Sequence, residues 1–115
     1  MSQIIEQLAD TLRERRDASP ETSYTASLIA AGVPKIRAKL EEELGELIEA
    51  AEALDSDRDA EEHARALVHE AADLWFHSMV LLVSQSVNPT LVLGELERRF
   101  GTSGHEEKRA RLSAA

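Results

Sequence analysis

Glu42-Glu43-Leu44-Gly45-Glu46 and Glu70-Ala71-Ala72-Asp73 decide how this chain is read. On a helix, residues three or four apart share a face, so Glu43 with Glu46, and Glu70 with Asp73, each aim two carboxylates in one direction. Two such pairs facing each other make a pocket of four carboxylates. Like charges that close repel, and burying them costs several kcal/mol apiece unless something neutralises them. A divalent cation is the simplest neutraliser: Mg²⁺ takes carboxylate oxygens, keeps several waters and finishes its octahedron with substrate phosphates. Each acidic face also has an ordinary reading, a charged helix stripe that is simply solvated.

Working outward from the first pair, Pro34 suits the first position of a helix that should run to about Leu54. Ile36, Leu40, Leu44, Leu47, Ala51 and Leu54 form one stripe of its wheel and Lys35, Lys39, Glu42, Glu46 and Glu49 the other, with Glu43 on the border. Lysines near the amino end and acids towards the carboxyl end oppose the helix macrodipole, so something else must want them there. Asp55-Ser56-Asp57-Arg58-Asp59 is a polar link in which Ser56 or Asp57 would cap a long fourth helix over roughly 58 to 86. From Ala71 onward that helix is apolar almost all round, through Leu74, Trp75, Phe76, Met79, Val80, Leu81, Leu82 and Val83, the pattern of a helix buried on every side. Glu70, Asp73 and His77 share a stripe at the entrance to the buried stretch, where solvated acids rarely sit. His77 reads equally as a hydrogen-bond partner of a ligating carboxylate and as a packed core histidine.

The flanks supply the rest of the bundle. Ile4, Ile5, Leu8 and Leu12 recur at helical spacing over residues 2 to about 16, with Ser2 as a cap and Arg13, Arg15 and Arg16 at the carboxyl end. Thr22-Ser23-Tyr24-Thr25-Ala26-Ser27-Leu28 reads as a loop leading into a short helical turn closed by Gly32; Thr22 or Ser23 either caps that turn or lends a hydroxyl to a site. Asn88-Pro89 opens a fifth helix to about Phe100, with Leu91, Val92, Leu96 and Phe100 inward. Residues 101–115 form a basic tail. No strand-like alternation and no repeat occurs, so the expected class is all-α, a bundle of about five helices in a single domain over residues 1–115. A helix of about 28 residues is about 42 Å long, more than one small domain spans, so a homodimer with the fourth helices at its centre is expected.

Composition narrows the chemistry. Across 115 residues, 22 acids against 13 bases give a formal charge of −9, which repels nucleic-acid backbones. Cysteine is absent, removing disulfides, thiolate metal sites and cysteine nucleophiles, and fitting a cytoplasmic protein. Met1 to Asp10 shows no signal-peptide pattern, and His77, Gln85, Asn88 and Pro89 interrupt the longest uncharged run, arguing against a membrane span. A di-iron bundle would want Glu-x-x-His pairs, which are missing here. A glycosidase cleft wants aromatics, and the chain has one Trp, one Tyr and two Phe. Neither a Walker-type glycine loop nor a Gly-x-Ser-x-Gly elbow occurs. What remains is Mg²⁺-dependent chemistry on a polyphosphate, or a metal-free structural bundle.

Glu-Glu-x-x-Glu at 42–46 followed by Glu-x-x-Asp at 70–73 resembles the motif of the all-α, MazG-like nucleoside triphosphate pyrophosphohydrolases. Ser23-Tyr24-Thr25, Gly32, Lys35-Ile36, Lys39, Ala72-Asp73-Leu74 with His77, Glu95-Leu96 with Arg98-Arg99, Ser103-Gly104 and Glu107-Lys108 are similar, more narrowly, to the phosphoribosyl-ATP pyrophosphatases. The resemblance covers about residues 20–111. Residue 41 departs from it, being Glu where a small residue is commoner, and residues 1–19 carry nothing diagnostic of substrate. It implies hydrolysis of phosphoribosyl-ATP to phosphoribosyl-AMP and pyrophosphate, the second step of histidine biosynthesis. It also implies that Glu43, Glu46, Glu70 and Asp73 hold Mg²⁺, with Mn²⁺ as a substitute ion, and that Glu42 is a supporting acid or the base for the attacking water. Lys39 and Lys108, then Lys35 and Arg111, are the expected phosphate contacts, and Ser23, Tyr24 and Thr25 would give hydroxyl donors to phosphate or ribose. The cyclohydrolase acting next would be a separate protein. A sibling enzyme cleaving dUTP or dCTP and a non-catalytic dimerisation module are the alternatives.

Overall fold

The computed structural model describes residues 2–100; the side chain of Ser2 and the tail from Gly101, including Lys108 and Arg111, lie outside it. Five helices follow one another, α1 (Ser2–Arg16), α2 (Tyr24–Ala31), α3 (Val33–Ser56), α4 (Glu61–Ser84) and α5 (Thr90–Phe100), with no strand among the described residues. Most of the packing lies between α3 and α4, which fold back on each other as a hairpin, with α1 and α2 laid across them. Buried residues from four helices meet in one core: Ala9 and Leu12 of α1, Leu28 of α2, Ile36 of α3, and Met79, Val80 and Val83 of α4.

The junctions follow from local chemistry. Ser23 Oγ accepts from the Ala26 N–H at 3.2 Å, so the hydroxyl nearest the helix is its cap, and the expected short turn is a two-turn helix. Gly32 ends α2, donating to the carbonyls of Leu28 and Ile29, and begins α3 in the same residue, at φ +92°. That conformation is cheap only for glycine. An added Cβ would meet nothing closer than the Pro34 Cδ at 3.7 Å, so the constraint is the backbone and not the space. Two expected caps of α4 are corrected. Asp57 closes α3 through its N–H to Ala53 and Leu54, and α4 starts later, at Glu61, from an Ala60 without a capping side chain. At the other end Arg16 Nη1 lies 3.5 Å from the Val83 carbonyl and 3.3 Å from Ser86 Oγ, placing a cation at the negative end of α4.

Two burial expectations fail for one reason. The single chain does not bury α4 on every side: Trp75 is 66 % exposed, while Met79, Val80 and Val83 are inside. Likewise Leu91, Val92, Leu96 and Phe100 of α5 are exposed, because α5 packs chiefly on α1 and turns its apolar face to an open groove. That groove, of about 300 Å³, is lined by Trp75, Met79, Leu82, Val92, Leu93 and Leu96 among others. Leu44 and Ala51, assigned to the inward stripe of α3, also face out, whereas Glu43 is buried. The helix is rotated so that its acidic border, not its full leucine stripe, meets α4. By length and composition alone α4 could cross a membrane, but it packs on α1, α2 and α3 instead.

Ile36 is completely buried at the centre of the core. Ile36→Ala should therefore cost about 2–5 kcal/mol, read as a lower urea midpoint at unchanged slope. Leu44→Ala, on the exposed face, should cost under about 1 kcal/mol in the same measurement.

Candidate active site

The α3–α4 hairpin sets the register of the acids. Glu43 lies in the field of Asp73, and Glu46 hydrogen-bonds Glu70, so as α3 advances by three residues its partner on α4 retreats by three. Four carboxylates thus occupy neighbouring positions on the two facing helices, as the two spacings require. Glu42 stands at the rim, its Oε2 3.9 Å from Lys39 Nζ.

Electrostatics show the strain of this arrangement. Burial is the first reason the Glu43 carboxyl is raised above 4.5, with Asp73 adding to it and His77 and Lys39 opposing it. The Glu46 carboxyl is raised first by its hydrogen bond to Glu70, as expected of two acids sharing one proton. Two buried oxygens, Glu43 Oε1 and Glu70 Oε2, have no hydrogen-bond partner. For Glu43 this holds despite a 2.7 Å approach to His77 Nδ1, because that nitrogen also faces the Asp73 carbonyl at 3.1 Å and the carboxylate lies off the N–H direction. The contact is one of charge and proximity, not an aligned hydrogen bond.

His77 is the hub that the sequence described only as one of two alternatives. It is 6 % exposed, hence a core histidine, and it also touches a cage carboxylate, so both readings hold together. Its Nε2 is 2.8 Å from Tyr24 Oη, bringing the first turn of α2 to the acids. Tyr24 is 52 % exposed, while Ser23 and Thr25 on either side are buried. Lys35 is exposed one turn before Lys39, with no contact to the acids among those described. His69 was missed altogether: its Nε2 is 3.3 Å from Asp73 Oδ2, and His69, Glu70 and Asp73 bring one ligand atom each within 4.8 Å of one another. The four-residue step from 69 to 73 was the available signal.

These features define an all-α protein whose longest helical hairpin concentrates acids around two buried, unsatisfied oxygens. The chain belongs to the phosphoribosyl-ATP pyrophosphohydrolase family, whose model matches residues 5–100. It is accordingly a hydrolase of histidine biosynthesis that splits phosphoribosyl-ATP.

The raised carboxyls carry a sign. An acid whose pKa is higher in the folded state stabilises the fold fully below its ordinary value and loses that contribution as pH rises through the folded value. Glu43 and Glu46 both act this way, whereas Glu95, held at about 2 first by Arg98 and then by Arg99, stabilises above its ordinary value and loses that only in acid. In EDTA, raising the pH from about 5 to about 8 should lower the melting temperature of the wild type more than that of Glu46→Gln, which keeps the hydrogen bond and removes one charge.

Proposed function

We propose that the hairpin face bearing Glu43, Glu46, Glu70 and Asp73 is where phosphoribosyl-ATP is hydrolysed, with Mg²⁺ held by these carboxylates and Mn²⁺ able to substitute. The observation that carries this reading is the pair of buried oxygens, Glu43 Oε1 and Glu70 Oε2, neither of which has a hydrogen-bond partner even though His77 Nδ1 stands 2.7 Å from the first. An unpaired buried anionic oxygen is expensive, and a hard cation removes that expense where another side chain is lacking. The donor set is oxygen-rich, which suits Mg²⁺, and the imidazole of His69 beside Glu70 and Asp73 makes Mn²⁺ acceptable too. When bound, the ion would neutralise the triphosphate and hold its oxygens in line.

The chain's own groups complete the reaction. Lys39, beside Glu42 on the rim, supplies positive charge to the phosphates in a protein of formal charge −9. Lys35, exposed one turn before Lys39, and Lys108 and Arg111 of the tail are assigned the same task. Glu42 is exposed and stands where a water can reach it, so it accepts the proton of the attacking water. The water oxygen bonds to phosphorus, the bridging P–O bond breaks, and pyrophosphate departs from phosphoribosyl-AMP. Within Ser23-Tyr24-Thr25, Tyr24 is the member that reaches the rim, and its buried neighbours hold the helix start that presents it.

The same reading includes a cytoplasmic, single-domain chain that works as a homodimer and passes its product to a separate cyclohydrolase. Support for the dimer is the apolar groove between α4 and α5 and the exposed Trp75, Leu91, Val92 and Leu96 around it. Contiguous apolar surface of this kind marks an interface. A second copy would restore the burial that the sequence of α4 demands.

Glu70→Gln should lower Mg²⁺-dependent pyrophosphate release from phosphoribosyl-ATP by about a hundredfold or more and abolish the rise in melting temperature produced by Mg²⁺. Full activity in that variant would remove the site assignment, and faster release from dUTP or dCTP would point to the sibling reaction. Trp75→Glu should shift the sedimentation profile from dimer to monomer. An unchanged profile would rule out the groove as the interface.

A further inference from the structure

Resting on the assignment of the hairpin face as the active site, we propose that a polar recess at the carboxyl end of α4, built around Arg13 and Arg16, binds the phosphate of the phosphoribosyl group, the end of the substrate that is not cleaved.

The recess, of about 240 Å³, is lined by Arg13, Arg16, Val83, Ser86, Val87 and Asn88. Its polar side chains are rich in donors. Two guanidinium groups and the Ser86 hydroxyl offer protons, and Asn88, whose Oδ1 accepts from the Thr90 N–H and hydroxyl, has its amide N–H groups left to give. Ser86 adopts φ +59°, uncommon for a residue other than glycine, in the turn that sets its hydroxyl against Arg16.

Neither arginine is fully used among the described residues. The Arg16 side chain is only 34 % exposed, yet its contacts are long: 3.5 Å to the Val83 carbonyl, 3.3 Å to Ser86 Oγ and 3.8 Å to Asp17 Oδ1. Arg13 reaches Asp10 at 3.5 Å. Arg37 with Glu41 and Arg98 with Glu95 close to 2.7 Å, the length of a charge-assisted bond. Two planar forks held off at longer range have capacity for the oxygens of a phosphate monoester, which they match in shape and charge. Asp10 and Asp17 are exposed and free to swing aside, and the negative end of α4 is already offset by Arg16. In a chain of formal charge −9, such a recess is a local exception with a definite preference for an anion.

The spacing suits the substrate. Phosphoribosyl-ATP carries its triphosphate at one end and a phosphate monoester at the other, with two riboses and a purine between them, on the order of 15 Å at ordinary bond lengths. Along α4, Val83 follows Asp73 by a rise of about 15 Å and a turn of about 80° around the axis. The chain itself spans that interval: Arg16 rests on Val83 and Ser86, Tyr24 reaches His77, and residues 17–23 join the two points with 17–22 exposed. A substrate laid along this loop has its triphosphate beside the acids and Lys39 and its monoester in the recess. ATP has no such monoester, so the recess tells phosphoribosyl-ATP from ATP.

Phosphoribosyl-AMP and AMP differ only in the phosphoribosyl group, and their inhibition constants therefore isolate the recess. Arg16→Gln should raise that of phosphoribosyl-AMP about tenfold or more, the worth of a hydrogen bond from a charged donor, and leave that of AMP unchanged. Arg16→Lys, which keeps the charge and loses the fork, should fall between Arg16→Gln and the wild type. An equal change for both inhibitors, as a purely structural role of Arg16 would give, or no change for phosphoribosyl-AMP, would overturn the proposal. Ribose 5-phosphate, the monoester alone, should compete with substrate and shift the Arg16 Nε–H resonance of the wild type. A shift without competition would show an independent anion site and equally overturn it. Failure of the underlying site reading has a different signature, full activity of Glu70→Gln, which the Arg16 comparison does not share.

Discussion

Everything at the candidate site depends on the antiparallel register of α3 and α4. Two helices each carrying acids three residues apart can be paired so that the acids avoid one another, and here they are paired so that they meet. The apolar contacts of Ile36 with the Val80 and Val83 side of the core hold that register against the repulsion. The repulsion shows in the raised Glu43 and Glu46 carboxyls and in two buried oxygens without partners. Folding energy is being spent to keep charge where a reaction needs it, the usual relation between a core and a site built on it.

The five helices and their order were legible because apolar periodicity, Pro34, Gly32 and the Asn88-Pro89 pair all mark the same boundaries. The carboxylate pairs were legible for an equally simple reason, since helical spacing decides which residues share a face. What could not be read was which way α3 turns about its own axis. Its wheel offers a full leucine stripe, and only packing against α4 shows that Leu44 faces out while Glu43 faces in. Nor does a single chain reveal how much apolar surface it leaves open, which is why α4 and the inward side of α5 were both expected to be more buried than they are. Two partners of His77, Glu43 and Tyr24, lie far from it in sequence and on other helices, so neither contact had a local signal.

The family match and the local geometry bear on different questions. Membership accounts for the substrate and the pathway without saying which oxygen faces which. The geometry, in turn, explains why a histidine is placed among acids: His77 joins α2, α3 and α4 at one buried point, touching Tyr24, Glu43 and the Asp73 carbonyl. Ser23 and Gly32 then have a clear structural use, since they fix both ends of the short helix whose first residue is Tyr24.

The connection between α3 and α4 runs from Asp57 to Ala60, well away from the acids, and that distance decides where the chain can change length. A residue gained or lost in the connection alters only a surface turn. The same change between Glu46 and Ser56 would turn the remainder of α3 by about 100° and shift it by about 1.5 Å, so that the hairpin could keep either its core or its acids aligned, but not both. Relatives of this chain should therefore differ in length at the tip of the hairpin and hold a constant residue count along its arms.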